Sequence, residues 1–409
     1  MLARQLLLGV LVLVIATLSI PSLAPAVSQP LNDLHRLVQG PASASGLAPT
    51  AEKALSAAAL SIDQGDGPNA GVPGACELAA DTASATCESS PSAASASQVP
   101  STGRPSPSPR WGASMVYDAN TSDNYVLLFS GSGASDDTWT FSNGVWAELS
   151  PAIEPPQRTY AAMAYDPLAG YVVLFGGHNG ANNYLGDTWK FAGDQWTELT
   201  PPVAPSARAY AAFTYDPAAG GILLFGGNNS EFSHNAGYLG DTWEFTNASN
   251  GTWTQVPTGG IDCGGFSQHN CNVTAAPSAR ATASMTYDAR DGYAVLYGGG
   301  AANKTSLSDT WTFANGTWTD IAATAGFTKA RDYTMMTFDN ATADDYVLQF
   351  GGINGGDRSI NTTWQFLSGS WTNLTSSVPI NVSPPIRFGG AMVYDARDGY
   401  TVLFGGLSN

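Results

Sequence analysis

The stretch Tyr165–Gly177, YDPLAGYVVLFGG, decides the fold because the chain repeats it. Its Asp-Pro pair favours a tight turn, its apolar run is typical of a buried strand, and its Gly-Gly pair permits a positive φ. A phrase repeated in this way predicts a scaffold unit, since a single ligand site would need it only once. Further copies, some of them looser, start at Tyr117, Tyr215, Tyr287, Phe338 and Tyr394.

Each copy belongs to a longer unit of roughly 50 residues, a period that indicates a propeller or a similar array. We predict four strands in each unit. Strand a ends in Tyr-Asp or Phe-Asp, strand b is the apolar run before Gly-Gly, strand c reads Asp-Thr-Trp-x-Phe, and strand d carries a second tryptophan. An arginine opens each unit, at Arg110, Arg158, Arg208, Arg280, Arg331 and Arg387.

Ten of the eleven tryptophans belong to this repeat, in five pairs. We interpret them as packing residues that fill the wedge between neighbouring twisted sheets, since a stacking platform for a ligand would not recur in every unit. The acidic residues before strand c are interpreted as turn residues, and the opening arginines as scaffold. The pairs are Trp139/Trp146, Trp189/Trp196, Trp243/Trp253, Trp311/Trp318 and Trp364/Trp371.

The apolar strand, the Gly-Gly pair and the paired tryptophans resemble the kelch repeat and the central propeller of the galactose oxidases. The resemblance covers residues 110–409 and implies four-stranded blades around a central channel. The predicted fold class is therefore all-β, a kelch-type β-propeller of six blades with the last one incomplete. That last unit has only two inner strands, from residues 387–406, with at most one weak strand added from the N-terminal segment. Five blades with the last hairpin outside the ring is the alternative.

Residues 1–26 have the features of a secretory signal. Arg4 precedes the uncharged run Leu6–Ile20, Pro21 ends the run, and Ala24-Pro25-Ala26 fits a cleavage site. An uncleaved N-terminal anchor is the alternative reading. Both readings place the rest of the chain outside the cell, secreted or tethered to the cell surface.

Residues 27–109 are rich in Ala, Ser, Pro and Gly, which predicts a low-complexity stalk before the propeller of residues 110–409. Two short helical patterns, Leu31–Val38 and Ala51–Ile62, are too short to fold alone. We expect Cys76 and Cys87 to close a small loop within this stalk.

The four cysteines form two local pairs, which in an exported chain predict two disulfide bonds. Cys263 and Cys271 form the second pair, and with His269 they could alternatively form a three-ligand zinc site. Glycosylation is also expected, because the chain has eleven Asn-x-Ser/Thr sequons, at Asn120, Asn228, Asn247, Asn250, Asn272, Asn303, Asn315, Asn340, Asn361, Asn373 and Asn381.

The charge of the chain argues against nucleic acid as a partner. Acidic residues outnumber basic ones by 33 to 16, the net charge is −17, and no basic cluster occurs. Binding to phosphates requires a surface rich in Lys and Arg.

Variable loops lie at one end of the predicted blades. The a–b turns are mostly short and alike, whereas the b–c and d–a loops differ between units. Variable loops on a rigid scaffold commonly bind ligands, so we expect a protein or glycan ligand on the b–c/d–a face. The candidate ligand-binding residues on this face are Asn182, Asn183, Tyr184, Glu231, His234, Tyr238, Lys304, Asp357 and Arg358.

Catalytic signatures are scarce, which favours a non-enzymatic binding module with no cofactor and no metal. The alternative is an extracellular carbohydrate-active enzyme, a galactose-oxidase-like oxidase or a hydrolase, that uses His178 and His234. The motif of the oxidase copper centre is absent from the sequence. A structural component of the cell surface, tethered by the stalk, is a third hypothesis.

Overall fold

The computed structural model describes the following parts of the chain: the strand backbone of residues 60–62, and residues 105–120, 124–133, 136–180, 183–230, 237–248, 251–257, 276–302, 305–326, 329–340, 345–355, 358–377 and 383–408. The chain divides into two compact units, Met1–Gly46 and Leu47–Asn409, and all described residues belong to the second. The predicted signal segment and both predicted disulfides lie outside the described residues. Among the described residues, no helix is long and apolar enough to cross a membrane.

Five four-stranded antiparallel sheets follow one another along the chain, each with its strands in the order a, b, c, d. The predicted all-β propeller is confirmed, with five complete blades. Their strands are, in blade 1, β2 (Ser114–Asp118), β3 (Tyr125–Phe129), β4 (Thr138–Ser142) and β5 (Val145–Leu149); in blade 2, β6 (Ala162–Asp166), β7 (Tyr171–Phe175), β8 (Thr188–Ala192) and β9 (Gln195–Leu199); and in blade 3, β10 (Ala212–Asp216), β11 (Gly221–Phe225), β12 (Thr242–Thr246) and β13 (Thr252–Val256).

Blades 4 and 5 have the same order, with short extra strand pairs in their loops and short helices near their last strands. The strands of blade 4 are β14 (Ser284–Asp288), β15 (Tyr293–Tyr297), β18 (Thr310–Ala314) and β19 (Thr317–Asp320), and those of blade 5 are β21 (Met335–Asp339), β22 (Tyr346–Phe350), β24 (Thr363–Leu367) and β25 (Ser370–Asn373). The extra elements are β16 (Gly300–Ala301), β17 (Thr305–Ser306), α1 (Ala322–Ala325), β20 (Arg331–Asp332), β23 (Ile353–Asn354) and a 3₁₀ turn at Thr375–Ser377.

The last repeat forms a sixth sheet of three strands. Its a and b strands are β26 (Ala391–Asp395) and β27 (Tyr400–Phe404), and β1 (Leu60–Ile62) pairs with β27 in parallel. The expectation of a helical pattern over Ala51–Ile62 is wrong for these three residues, because the free edge of β27 offers backbone partners that an isolated short helix lacks.

The first strands of the six sheets contact one another in a closed series, from β2 through β6, β10, β14 and β21 to β26 and back to β2. Strand a is therefore innermost in every sheet and surrounds the axis. The b strands form the core, and every side chain of β3, β7, β11 and β22 is buried. This burial on both faces explains why strand b is apolar without alternation.

The opening arginines are buried, and those of blades 1 to 4 are ion-pair partners. Arg158 is 1% exposed, and its guanidinium donates two hydrogen bonds to Asp187, both at 2.7 Å. The carboxylate of Asp187 also accepts a hydrogen bond from Nε1 of Trp189 at 2.6 Å. The interpretation of these acids as turn residues is therefore too weak, since each holds the arginine of its own blade. The same network joins Arg110 to Asp137 and Trp139, Arg208 to Asp241 and Trp243, and Arg280 to Asp309 and Trp311.

Blade 5 departs from this network. Thr362 stands where the other blades have aspartate, and its hydroxyl accepts a hydrogen bond from Nη1 of Arg331 at 2.5 Å. Burial lowers the pKa of Arg331. The guanidinium also lies 5.7 Å from the ring centre of Trp364.

The Gly-Gly pair brings neighbouring blades together. The N–H of Gly177 donates to the carbonyl of Arg208 in the next blade at 2.8 Å. A Cβ at Gly176 would meet that carbonyl oxygen at 2.4 Å, so no larger residue fits without movement. The last such bond, from Gly406 to the carbonyl of Arg110 at 3.0 Å, joins the sixth sheet to blade 1. Non-covalent bonds thus close the ring.

The second tryptophan of each blade makes a hydrogen bond across the blade interface, with one exception. In blades 2 to 5, its Nε1 donates at 3.0–3.1 Å to the first threonine of strand c in the preceding sheet. Trp146 of blade 1 occupies the equivalent place against the sixth sheet, with its ring centre 5.4 Å from that of Phe404. Its Nε1 is buried and has no hydrogen-bond partner among the described residues. In the sixth sheet, β1 lies beside β27 where the other blades have strand c.

The aspartate at the end of each strand a is buried, and in every sheet except that of blade 5 the structure shows it capping its own a–b turn. The Oδ1 atom of Asp166 accepts hydrogen bonds from the N–H groups of Leu168 and Ala169, both at 3.0 Å, as the Asp-Pro pair predicts. Burial raises the pKa of Asp288 to about 6 and that of Asp395 to about 6. These two turns therefore contain carboxyl groups that resist ionisation in the folded state.

We expect the cost of Trp→Phe substitution to depend on the hydrogen bond across the interface. Trp318→Phe removes the bond to Thr242, whereas Trp146→Phe removes a buried N–H that has no partner in the part of the chain that the structure describes. Trp318→Phe should therefore reduce the free energy of unfolding by about 1–3 kcal/mol more than Trp146→Phe does. Urea unfolding of both variants measures the difference, and equal losses would show that the Nε1 bonds contribute nothing.

We expect stability to fall as the pH rises from about 4 to about 6. A carboxyl group with a folded pKa near 6 and an unfolded pKa near 3.9 binds a proton more tightly in the folded state. Its contribution is full below the unfolded pKa and is lost as the pH rises through the folded value. Asp288→Asn keeps the turn-capping oxygen and should flatten this part of the profile. Thermal unfolding of variant and wild type at pH 4, 5, 6 and 7 tests this, and parallel profiles would contradict it.

Candidate binding site at the channel mouth

Six residues with positive φ form a ring of backbone hydrogen bonds around the axis, which we call the inner ring. Each lies two positions after an opening arginine, so the ring lies at the b–c/d–a end of the channel. Each N–H donates to the carbonyl of the preceding member at 2.7–3.3 Å, and the bond from Gly112 to Gly389 closes the circle. The members are Gly112, Tyr160, Tyr210, Thr282, Tyr333 and Gly389, with φ between 52° and 65°.

Four of the six positions have side chains in a conformation that favours glycine. Gly112 and Gly389 adopt the inner-ring backbone without steric cost, whereas Tyr160 has φ 52° and Thr282 has φ 59°. Residues held in this region cost on the order of 1–3 kcal/mol each. Glycine at these positions would form the same backbone turn without this cost. The tyrosines must therefore be retained there for their side-chain contacts or for a function.

Tyr160, Tyr210 and Tyr333 lie side by side at the mouth of the channel. The ring centre of Tyr160 is 4.3 Å from that of Tyr210 and 5.7 Å from that of Tyr333. Neighbouring rings extend the group: Trp111 lies 5.5 Å from Tyr160, and Phe388 lies 5.8 Å from Tyr333. We call these rings, together with His178 and Tyr184, the aromatic cluster.

His178 and Tyr184 enter the cluster from the b–c loop of blade 2. Nε2 of His178 lies 2.9 Å from the hydroxyl of Tyr210 and 3.1 Å from that of Thr159. The ring of Tyr184 lies 5.9 Å from that of His178, and its hydroxyl donates to the carbonyl of Ser230 at 2.7 Å. Tyr184 thus joins the b–c loops of blades 2 and 3.

Among the described residues, the side chains of the cluster are uncharged at neutral pH, and the carboxylate of Asp332 lies at its border. Burial lowers the pKa of His178, and burial raises the pKa values of Tyr160, Tyr210 and Tyr333. The negative charge of Asp332 contributes to raising the pKa values of Tyr333 and Tyr238. This carboxylate therefore acts electrostatically on that side of the cluster.

Two hydroxyls of the cluster are free to bind a ligand. Within the described residues, the hydroxyls of Tyr160 and Tyr333 have no hydrogen-bond partner, whereas several buried tyrosines on the blades do have one. The hydroxyl of Tyr171, for example, donates to Oδ1 of Asn247 at 2.7 Å. A tyrosine hydroxyl can both donate and accept a hydrogen bond, so these two hydroxyls can bind polar ligand atoms of either kind.

The structure describes four of the nine predicted ligand-binding residues. Tyr184 and Tyr238 are half-buried; Tyr184 belongs to the cluster, and Tyr238 borders it and contributes to the raised pKa of Tyr333. Asn183 and Arg358 are exposed in the b–c loops of blades 2 and 5. The other five lie outside the described residues: Asn182, Glu231, His234, Lys304 and Asp357.

Sequence reasoning missed the inner-ring tyrosines. They lie between the opening arginine and strand a, where the repeat reads as the beginning of a strand. A signal was available, because the second residue after each arginine is Gly, Tyr, Tyr, Thr, Tyr and Gly. Glycine at two equivalent positions of a repeat indicates that the backbone there requires a positive φ.

One predicted sequon is excluded by the fold. Asn228 is fully buried, and its Oδ1 accepts a hydrogen bond from the N–H of Ser230 at 2.9 Å. A glycan cannot be attached to a side chain in this position. The described sequons at Asn247, Asn315, Asn340 and Asn373 are exposed.

Two other kinds of site are weaker candidates. Among the described residues, no three His, Cys, Asp or Glu side chains come together in a way that could hold a metal ion. A cavity of about 330 Å³ lies on the opposite, a–b/c–d face, between blades 3 and 4. It is lined by turn residues and by Asp216 and Glu244, and burial raises the pKa of Glu244. The aromatic cluster is the stronger candidate, because it combines strained tyrosines with free hydroxyls.

We expect Gly389→Ala to disturb the inner ring. A Cβ at Gly389 would lie 2.6 Å from the hydroxyl of Tyr160, and its backbone has φ 62°. The substitution should reduce the free energy of unfolding by about 1–3 kcal/mol. Adding Tyr160→Phe removes the clashing oxygen and should restore part of the loss. Denaturant unfolding of the single and double variants tests this, and simple addition of the two effects would contradict it.

Comparison with known families and with curated proteins finds no family model and no curated protein that matches this chain.

Proposed function

We propose that this chain is an exported, non-enzymatic binding module of the kelch type, whose ligand docks at the channel mouth on the b–c/d–a face. The ligand is a protein or a glycan. One observation carries the proposal: three tyrosines occupy a strained backbone ring in which glycine would suffice, and two of their hydroxyls are unpaired within the described residues. The propeller supports it as a rigid scaffold that presents variable loops.

The chemistry of the cluster favours a glycan over a charged peptide. Tyrosine and tryptophan rings offer apolar faces with polar edges, which suit the apolar faces and hydroxyl groups of a sugar ring. The tyrosine rings lie only 4.3–6.0 Å apart, so a ligand must lie over them rather than between them. Asp332 and the net charge of −17 disfavour acidic ligands.

An extracellular carbohydrate-active enzyme is the second candidate, and His178 is the observation in its favour. A neutral imidazole 2.9 Å from the hydroxyl of Tyr210 has the geometry of a proton acceptor. His234, the predicted second histidine, lies outside the described residues. Stoichiometric copper or zinc in the purified protein, or release of oxidised or shortened sugars from a glycan panel, would favour this candidate.

We expect Tyr160→Phe and Tyr333→Phe each to weaken ligand binding about five- to tenfold, the equivalent of one hydrogen bond. Neither substitution removes a hydrogen bond between described residues, so the melting temperature should hardly change. The probes are arrays of neutral and acidic oligosaccharides, followed by calorimetry on the hits. Tyr184→Ala should weaken binding as well, with some loss of stability because its hydroxyl bonds to Ser230.

Tyr171→Phe is the matched control. Its hydroxyl bonds to Asn247 towards the other face, so this variant should lose stability and keep its affinity. The proposal fails if Tyr160→Phe and Tyr333→Phe bind every hit as the wild type does. Hits restricted to acidic sugars would contradict the preference for a neutral glycan and leave the location of the site intact.

A further inference from the structure

Blade 3 lacks an aromatic ring that the other sheets have at the start of strand b. A tyrosine is the first residue of this strand in five sheets, and glycine takes its place in blade 3. A Cβ at Gly221 would collide with the carbonyl oxygen of Phe245, so the backbone there has no room for a side chain without movement. The tyrosines are Tyr125, Tyr171, Tyr293, Tyr346 and Tyr400.

The tyrosine of blade 2 shows what this place holds when it is filled. Tyr171 is buried against blade 3, and its hydroxyl donates to Oδ1 of Asn247, next to strand c of blade 3, at 2.7 Å. Nζ of Lys190 lies 5.8 Å from the centre of the same ring. Ala169 and Leu199 belong to the hydrophobic cluster that contains the ring. A phenol ring and a cation thus occupy this part of the interface.

The cavity between blades 3 and 4 lies where the equivalent ring of blade 3 would be. Its volume of about 330 Å³ is large enough for a small molecule. Four of the residues that line it have the same positions in the repeat as residues around Tyr171. They are Ala219 for Ala169, Glu244 for Lys190, Val256 for Leu199 and Asn315 for Asn247.

Two carboxyl groups in the cavity lack a positively charged partner among the described residues. Asp216 is 2% exposed, and its Oδ1 caps the a–b turn, whereas its Oδ2 makes no hydrogen bond to a described residue. Glu244 is half-buried, and neither of its oxygens bonds to a described residue. Burial and the charge of Asp216 raise the pKa of Glu244. A cation in the cavity would offset both effects, and blade 2 has its own cation, Lys190, at the position of Glu244.

We propose that this cavity binds a small phenol that carries an ammonium group. The ring takes the place of the tyrosine that blade 3 lacks, and its hydroxyl donates to Oδ1 of Asn315, as Tyr171 donates to Asn247. The ammonium group lies between the carboxylates of Asp216 and Glu244. The ligand thus supplies the ring and the cation that blade 2 supplies from its own chain.

The two ends of the cavity determine where the polar groups of the ligand lie. Asp216 lies directly opposite Gly221 in the a–b hairpin, so its side chain is at the end where a tyrosine ring would join the chain. Asn315 follows strand c of blade 4, at the end that a tyrosine hydroxyl would reach, and its amide makes no hydrogen bond to a described residue. A glycan on Nδ2 of Asn315 would leave Oδ1 as an acceptor. Hydroxyl and ammonium therefore belong at opposite ends of the ring.

The test titrates the full chain with four probes by calorimetry at neutral pH. Tyramine has both polar groups, phenethylamine lacks the hydroxyl, 4-ethylphenol lacks the amine, and 4-hydroxyphenylacetate has a carboxylate in its place. We expect tyramine to bind most tightly, phenethylamine about five- to tenfold more weakly and 4-ethylphenol about tenfold more weakly, because each lacks one of the two polar contacts. The carboxylate should not bind, since it would face Asp216 and Glu244.

Three variants assign the contacts. Glu244→Gln should weaken tyramine about tenfold and leave 4-ethylphenol unchanged. Glu244→Lys restores the cation of blade 2 and should abolish tyramine binding. Asn315→Ala should weaken tyramine and leave phenethylamine unchanged. Glu198→Gln is the matched control, because it removes the same charge from an exposed position on strand d of blade 2 and should change neither affinity.

The proposal is overturned if tyramine shows no saturable binding at millimolar concentrations. It is also overturned if phenethylamine binds as tightly as tyramine, or if Glu244→Gln and Glu198→Gln have equal effects. These results leave the channel mouth untouched, because the cavity lies on the opposite face of the propeller. Glycan binding that persists in Glu244→Lys would show that the two sites are separate.

Discussion

Each blade-opening arginine connects two sheets, and the ring depends on this connection. The guanidinium of Arg208 binds Asp241 of its own blade, while its backbone carbonyl accepts the N–H of Gly177 from the blade before. The carbonyl can approach only because a glycine precedes Gly177, where a Cβ would lie 2.4 Å from the oxygen. Removing the carboxylate of Asp241 would leave Arg208 buried without its partner and be strongly destabilising, so the arginine, the aspartate and the glycines of this blade form one unit. The stretch is repeated along the sequence because the blades use the same unit.

The same spacing also builds the channel mouth. Two residues after each arginine, the backbone turns into the left-handed region and bonds to its equivalent in the neighbouring sheet. Gly112 and Gly389 leave room for the ring of Tyr160, since a Cβ at Gly112 would lie 3.1 Å from that ring. The aromatic cluster is therefore asymmetric, although the backbone ring beneath it repeats six times. A symmetric scaffold can carry a single site in this way.

The informative positions of this protein are those where the repeat is broken. Thr362 replaces the aspartate of blade 5 and leaves Arg331 with a neutral hydroxyl where the other blades have a carboxylate. Ser130 replaces the first glycine of blade 1, and its hydroxyl accepts a hydrogen bond from the N–H of Arg158 at 3.0 Å. At the sixth sheet, β1 lies beside β27 where the five complete blades have strand c, and Nε1 of Trp146 in the neighbouring blade has no hydrogen-bond partner among the described residues. Each of these departures from the repeat changes a hydrogen bond that the equivalent residues make in other blades.

The sequence by itself determined the strands, their order and the propeller class, because these depend on short-range patterns that recur. It also determined which face carries the variable loops, since turns alternate between the two ends of an antiparallel sheet. Only the tertiary structure decided that the opening arginines pair with the strand-c aspartates, and that Tyr160, Tyr210 and Tyr333 meet. The arginine and aspartate of one blade come together when the strands of that blade pair, whereas the three tyrosines belong to different blades and meet only when the ring closes. The parallel pairing of Leu60–Ile62 with β27 could not be predicted from the sequence either. Three residues are too few to show a strand pattern, and they form a strand only because they pair with the edge of β27.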